Sequence, residues 1–249
     1  MIAVVADAAG YRAAIGELPL STRRAERPAG AIVVVPGIGW VDGALQAAAA
    51  GAAAIVIADP EATSAAEVRR LDGAIGIPVV VERPLLRRDV VDTAIGGREG
   101  APASLLTVDG AAGSARFAVV LRDAVGWLRV LGGGALAVRS AGAGPVLLET
   151  HDGTVAALSV AMTARGPGWI RAQALGEVLT DVEVEAGAVL VATSSRAGRL
   201  VAPVRFESSE RLALRRALAA MEASAQPSDI AEIRADAEIA EECMRAQQA

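Results

Sequence analysis

The first hundred residues alternate short apolar runs with alanine-rich stretches of helical composition. Four of the runs are short, nearly continuous and mostly β-branched, as expected for strands covered on both faces: residues 2–6, 31–35, 54–57 and 78–81. Stretches of helical composition lie between them at 42–50 and 64–73, and each is closed by a glycine, the residue that most often follows a helix. This alternation predicts a parallel, doubly wound α/β sheet.

After residue 100 the pattern changes. Residues 114–131 predict one long helix, Asp152-Gly153 predicts a hairpin turn, and two helices are predicted at 209–223 and 228–246. Seven extended runs lie between the long helix and the final pair: 136–140, 145–150, 154–163, 169–175, 178–185, 189–193 and 200–206. The sequence therefore predicts an α/β protein with a Rossmann-like parallel-sheet domain (1–100). An α+β domain (101–249) follows, with a large open, mostly antiparallel sheet and C-terminal helices that return toward the first domain.

The sequence contains no lysine, so all 24 basic residues are arginine, and it has one histidine and one cysteine. Arginine stays protonated near neutral pH and is a poor proton shuttle. These counts argue against Schiff-base enzymes, phosphate-loop kinases, Ser-His-Asp hydrolases and Cys/His metal sites, so no metal is expected. The lone Cys243 excludes an internal disulfide and favours a reducing cytoplasm.

Charge and hydropathy limit the partners. The net charge is −5, the arginines are scattered, and aromatic residues make up only 2% of the chain, so nucleic-acid binding is not expected. No apolar run approaches the roughly 20 residues that cross a bilayer, and the N-terminal run meets Asp7 too early for a signal peptide. The sequence therefore predicts a cytoplasmic protein without a membrane partner.

Three places in the sequence suggest ligand binding or subunit contact. Asp59 follows a predicted strand, where open α/β sheets place ligands, although an acid before a proline also commonly caps a turn. Arg83, with the arginines at 87 and 88, either holds a small anionic ligand or forms a solvated face. Alternation along 178–184 leaves one apolar face, which is covered either by helices of the same chain or by a second subunit.

The order of these segments resembles the family of glucose-fructose oxidoreductase and inositol dehydrogenase. The resemblance is carried by the strand 31–36 that ends in Pro36, the strand 54–60, the long helix around 122–132 and the hairpin 150–154. It covers roughly residues 30–249. It implies a two-domain NAD(P)-dependent oxidoreductase with the nicotinamide beside Pro36, and a homodimer formed through the open sheet.

The residues that carry the family's chemistry are replaced. Asp59 stands where the family's Glu-Lys-Pro motif has its lysine, and Arg122 or Asp123 lies near the position of its histidine. The glycine-rich dinucleotide loop is missing, because the first strand leads to Asp7 with Gly10 as the only nearby glycine. Either the chain begins at the family's second strand, which makes Asp7 the ribose-binding acid, or it begins at the first strand with an eroded loop. Both alternatives imply poor dinucleotide affinity.

The leading hypothesis is a degenerate oxidoreductase-like protein without hydride transfer, which serves as a small-molecule-binding or scaffold protein and needs no cofactor. The alternative is an active NAD- or NADP-dependent oxidoreductase on a sugar-like or polyol substrate, with Asp59 or Asp123 as the acid-base residue. A weaker third hypothesis is a metabolite-sensing α/β regulatory domain. The candidate ligand-binding residues are Pro36, Trp40, Asp59, Arg83 and Arg122. Trp40 either fills the vacated nicotinamide space or simply packs in the core.

Overall fold

The computed structural model describes residues 1–142, 144–185, 187–204 and 206–248. The chain forms two compact units. The first comprises Met1–Pro84 and Phe206–Arg234, and the second comprises Leu85–Arg205 and Ala235–Ala249.

Strands and short helices alternate along the first unit. In chain order they are β1 (Ile2–Val5), α1 (Ala9–Glu17), β2 (Thr22–Arg24), β3 (Ile32–Pro36), α2 (Trp40–Ala49), β4 (Ala54–Ala58), α3 (Ala65–Val68) with a 3-10 turn (Arg69–Leu71), and β5 (Val79–Glu82). All strand pairs are parallel and the strand order is β2-β1-β3-β4-β5. The predicted parallel sheet is confirmed, whereas α1 and β2 have no counterpart among the predicted elements.

The second unit is built around one long helix and a large sheet. Its elements are α4 (Arg88–Gly96), β6 (Leu105–Gly113), α5 (Ser114–Leu131), β7 (Leu136–Ser140), β8 (Val146–Thr150), β9 (Val155–Thr163), β10 (Trp169–Leu175), β11 (Leu179–Glu185), β12 (Ala188–Ser195) and β13 (Gly198–Val201). The strand order is β13-β12-β11-β10-β6-β9-β8-β7. Every pair is antiparallel except β6 with β9, so the predicted mostly antiparallel sheet is confirmed.

Two helices follow, α6 (Ser209–Glu222) and α7 (Asp229–Gln248). Helix α6 belongs to the first unit, and α7 is divided between the two at Arg234. The second unit begins at Leu85, earlier than the predicted boundary at residue 100, because Leu85 and α4 pack into the core beneath the eight-stranded sheet. Among the described residues, none of the helices combines the length and the apolar character needed to cross a bilayer.

The sheet of the first unit is covered on both faces. Ile55 and Ile57 of β4 pack in the layer formed with α2, whereas Val56 packs in the layer formed with α1 and α6. All three side chains are fully buried. A strand buried on both faces explains the continuous apolar run seen in the sequence.

The large sheet is covered on one face by α5. Trp127 and Leu128 of α5 are fully buried in a core that also takes in Val182 and Val184 of β11. The apolar face of β11 was expected to be covered either by helices of the same chain or by a second subunit. The structure shows that helices of the same chain cover it. The opposite face of β11 is polar, since Arg171 pairs with Asp181 at 2.8 Å.

Candidate functional site

The carboxyl ends of the parallel strands meet at one edge of the first unit. Strand β1 lies between β2 and β3 in the sheet. The connection from β1 to β2 therefore runs to one side of β1, and the connection from β2 to β3 crosses to the other side. In open α/β sheets such a switch point is where ligands bind. Asp7, Pro36, Asp59 and Glu82 lie at or just after these strand ends.

Glu82 is the centre of this edge. It ends β5, is only 7% exposed, and its Oε2 accepts hydrogen bonds from the Tyr11 hydroxyl (3.4 Å) and the Asp59 backbone N–H (3.1 Å). The pKa of Glu82 is raised to about 7, chiefly by burial and to a lesser extent by the charges of Asp59 and Glu210, whereas hydrogen bonds from Ser209 and from the Asp59 backbone lower it. Burial, followed by the charge of Glu82, also raises the pKa of Tyr11, so its hydroxyl keeps its proton. Near neutral pH Glu82 can therefore gain or lose a proton, whereas Tyr11 only donates a hydrogen bond.

The amino terminus of α1 lies against a carboxylate of the same chain. Ala8 precedes α1 and offers no side-chain cap. Glu210, in the first turn of α6, stands so close to Gly10 that a Cβ at Gly10 would overlap its Oε1. Negative charge beside the first turn of a helix is favoured by the partial positive charge of its amino terminus.

Asp59 holds an unusual backbone conformation at the end of β4. Its φ is +43°, in the left-handed region that non-glycine residues rarely adopt. The β3 and β4 connections also pass very close to each other, because a Cβ at Gly37 would overlap the carbonyl oxygen of Asp59. Pro36, which ends β3, is exposed beside this contact. The close approach fixes the Asp59 backbone N–H toward Glu82.

Trp40 lies in the core of the first unit. It is 2% exposed, packs in the α2 layer, and donates a hydrogen bond from Nε1 to the Glu61 carbonyl at 3.2 Å. Trp40 is therefore a packing residue that links the loop after β4 to α2. Packing was the second of the two roles considered for Trp40 in the sequence analysis. A ligand-binding role for Trp40 stays a prediction.

The other candidates from the sequence are Arg83, Arg122, Asp123 and His151. Arg83 is buried next to Glu82 in the first unit. Arg122 and Asp123 belong to α5 of the second unit, are 2% and 1% exposed, and contact each other at 2.8 Å. His151 is exposed in the turn between β8 and β9. The structure thus groups Asp59 with Glu82, and Asp123 with Arg122.

Three residues of the cluster had no assigned role in the sequence analysis: Tyr11, Glu82 and Glu210. Glu82 could have been identified from the sequence, since it is an acid that directly follows a predicted buried strand. Tyr11 is the only tyrosine in the chain but lies in a helix that was not predicted. Glu210 is more than a hundred residues from its neighbours in the cluster, so no local pattern indicates it.

The fold is that of NAD(P)-dependent oxidoreductases of known structure, and the resemblance to the glucose-fructose oxidoreductase family is confirmed at the level of the fold. No protein-family model matches the chain, and no curated protein matches it.

Three solved structures illustrate the likeness. A 3-ketoreductase from Actinomadura kijaniata, in complex with NADP and TDP-benzene, is 13% identical with a TM-score of 0.68, covering 99% of this chain and 97% of that one. The UDP-N-acetylglucosamine 3-dehydrogenase from Acidithiobacillus ferrooxidans is 15% identical with a TM-score of 0.60 and the same coverage. The aldose-aldose oxidoreductase from Caulobacter crescentus is 11% identical with a TM-score of 0.69, covering 100% of this chain and 89% of that one.

The segment from β1 into the first turn of α1 carries the acid Asp7 and a single glycine, Gly10. A pyrophosphate is bound by free backbone N–H groups of a glycine-rich loop at a helix amino terminus. Here the first turn of α1 faces the Glu210 carboxylate, and the loop before it carries the exposed acid Asp7. Both acids would repel a phosphate. Within the described ranges, no group of three or more His, Cys, Asp or Glu residues is arranged to hold a metal ion.

Proposed function

We propose that the chain is a degenerate oxidoreductase-like protein that does not transfer hydride and serves as a small-molecule-binding or subunit-scaffold protein. The observation that carries the proposal is the Glu210 carboxylate against Gly10. An internal acid beside the first turn of α1 disfavours the anion that this turn binds in a dinucleotide-binding fold.

The former catalytic positions support the same proposal. Asp59 stands where the resemblance places a lysine, and its backbone rather than its carboxylate makes the hydrogen bond to Glu82. Asp123 is buried in contact with Arg122, an arrangement that serves the packing of α5.

Strand order bears on the role of Asp7. Because β1 lies between β2 and β3 at the switch point of the sheet, its place matches that of a first strand in a dinucleotide-binding fold. We therefore favour the eroded first-strand loop over the alternative in which Asp7 binds a ribose.

The acids at the switch point favour one class of small molecule. Asp59, Glu82 and Glu210 disfavour an anion at this edge, so we expect a neutral ligand with hydroxyl groups there. A small anion held by Arg83 or Arg122 remains a second prediction. A reducing cytoplasm is the compartment we propose, since Cys243 is a free, buried thiol.

We also keep the homodimer formed through the open sheet as a proposal. The uncovered face of the sheet exposes Leu147, Val155 and Trp169 beside the charged pair Arg171–Asp181, a mixture common at subunit interfaces. Light scattering at micromolar concentration tests it directly, since a mass of about 25 kDa rather than twice that value would contradict it.

The second candidate function is an active NAD(P)-dependent oxidoreductase on a sugar-like or polyol substrate. It is favoured by solved structures of the same fold that are oxidoreductases, one of them in complex with NADP.

Thermal unfolding with and without nucleotide separates the two candidates. A ligand that binds the native state raises its apparent stability, by about 3 kcal/mol at a hundredfold excess over Kd. We expect no stabilisation of the chain by NADH or NADPH at about 1 mM, and no absorbance change at 340 nm with aldoses or polyols. Stabilisation by either nucleotide together with turnover would establish the second candidate instead.

A further inference from the structure

Strand β5 is the outer strand of the parallel sheet, and it has β4 on one side only. The Glu82 carbonyl faces β4, since it accepts a hydrogen bond from the Asp59 backbone N–H at 3.0 Å. Backbone groups of successive residues in a strand point to opposite sides, so the N–H of Val81 points outward, away from β4. An outward row of backbone groups is a template on which another strand can pair.

The two edges of this sheet differ in how they are protected. Strand β2 forms the opposite edge and carries Arg23 and Arg24, both of which are exposed. Charged side chains on an edge strand discourage pairing with another chain. Strand β5 consists of Val79–Glu82, and all of its residues are buried. Because β5 presents no exposed charge, its edge has to be covered in another way.

The connection between α6 and α7 supplies this cover. Leu214 of α6 packs on one face of the sheet, in the layer that contains Val80. Ile233 of α7 packs on the other face, in the layer that contains the two other valines of β5. The chain therefore crosses the edge of β5 between these helices. Within the connection, Gln226 donates a hydrogen bond from Nε2 to the carbonyl of Gly76, shortly before β5, at 2.9 Å.

Asp229, the first residue of α7, bonds to the outward edge of β5. Its side chain is 8% exposed, and its Oδ2 accepts a hydrogen bond from the Val81 backbone N–H at 2.7 Å. Its Oδ1 accepts a hydrogen bond from Nη2 of Arg216, on α6, at 2.7 Å. The carboxylate also lies in the first turn of a helix, where negative charge is favoured. One side chain thus joins β5, α6 and α7 by bonds of the stronger, charge-assisted kind.

We propose that Asp229 guards a latent self-association surface: it holds the α6–α7 connection over the edge of β5, and its loss lets two copies of the chain pair through their β5 strands. An antiparallel pairing centred on Val80 places Val79 of one copy opposite Val81 of the other, so that no like charges face each other. The inference goes beyond the proposed function, because the contacts that carry it lie within the first unit and involve no ligand.

Light scattering of full-length variants tests the guard. Asp229→Ala removes the acceptor, and its mass should rise toward twice the wild-type value as the protein concentration rises from about 5 to about 200 μM. Asp229→Asn keeps an acceptor oxygen for the Val81 N–H, so it should keep the wild-type mass. Asp236→Ala removes another buried, arginine-paired acid of the same helix and controls for destabilisation alone. It should also keep the wild-type mass.

Amide hydrogen exchange locates the contact between the copies. In dilute Asp229→Ala the Val81 amide should exchange about ten to a hundred times faster than in the wild type, because it loses a charged acceptor. Its protection should return as the copies associate. The proposal is overturned if Asp229→Ala keeps the wild-type mass at every concentration, if Asp236→Ala associates equally, or if association leaves the Val81 amide unprotected.

Should Asp229→Ala fail to fold, hydrogen exchange of the wild type in low denaturant decides. The guard requires the amides of Val81 and Ile233 to share one opening that occurs before the β4 amides exchange, since moving Asp229 frees both segments. Exchange of the Val81 amide only together with the β4 amides contradicts the proposal.

Discussion

Replacing Glu82 by glutamine is expected to change how the stability of the first unit depends on pH. The side chain is buried at the end of β5, and its pKa is about 7 in the folded chain against 4.5 in water. A carboxyl group whose pKa is raised by folding contributes stability that is fully present below about pH 4.5 and is lost as the pH rises through 7. Each tenfold change in proton affinity corresponds to about 1.4 kcal/mol, so the full rise in the pKa of Glu82 corresponds to about 3 kcal/mol of unfolding free energy.

Most of this loss of unfolding free energy falls within a pH range that is accessible to experiment. Between about pH 5 and about pH 8 the wild type should lose about 2.5 kcal/mol of unfolding free energy relative to Glu82→Gln, because glutamine keeps its hydrogen-bonding shape and never ionises. Native-state hydrogen exchange of the buried β4 amides reports the unfolding free energy of this unit at each pH. Parallel curves for wild type and variant across this range would refute the reasoning.

Three further substitutions test the packing. Arg98→Ala should destabilise the second unit by about 3 kcal/mol in urea unfolding, because the buried guanidinium bonds three backbone carbonyls and the Thr180 hydroxyl. Asp236→Asn should cost a similar amount by the same assay, since this fully buried acid pairs with Arg129 at 2.6 Å. Gly37→Ala should lower the melting temperature by several degrees and Gly76→Ala should not, because only the first meets backbone atoms.

The fold was predictable wherever burial on both faces produced an uninterrupted apolar run. Strands β3, β4 and β5 are of this kind, and they lie within a residue of their predicted positions. Strand β6 was missed although it lies in the interior of the large sheet. It contains Gly110, Ala111, Ala112 and Gly113, small residues of low strand propensity. Their smallness is required by packing, since a Cβ at Gly110 would lie 2.9 Å from the Trp169 carbonyl oxygen.

The strand prediction for the last extended run was also only partly correct. Residues 200–206 were predicted as a strand, but β13 covers Gly198–Val201 only. Val204 is 72% exposed and Phe206 is 96% exposed. Apolar composition alone predicted a strand here, although these side chains are not buried against the sheet.

The candidate site was predictable in part. Asp59 was identified because it directly follows a buried strand, and the structure places it in the switch-point cluster with Glu82. Tyr11 and Glu210 could not be identified, since one lies in a short helix of weak periodicity and the other reaches the cluster only through the folding of α6. Contacts between distant parts of a chain leave no trace in a local pattern.

Calorimetric titration of the wild-type chain with NADPH tests the central claim most directly. If the Glu210 carboxylate beside Gly10 keeps a pyrophosphate from the first turn of α1, no binding heat should be detected at nucleotide concentrations up to about 1 mM. A saturable isotherm with a Kd of about 10 μM or tighter would show that this chain still holds the dinucleotide, and would contradict the account.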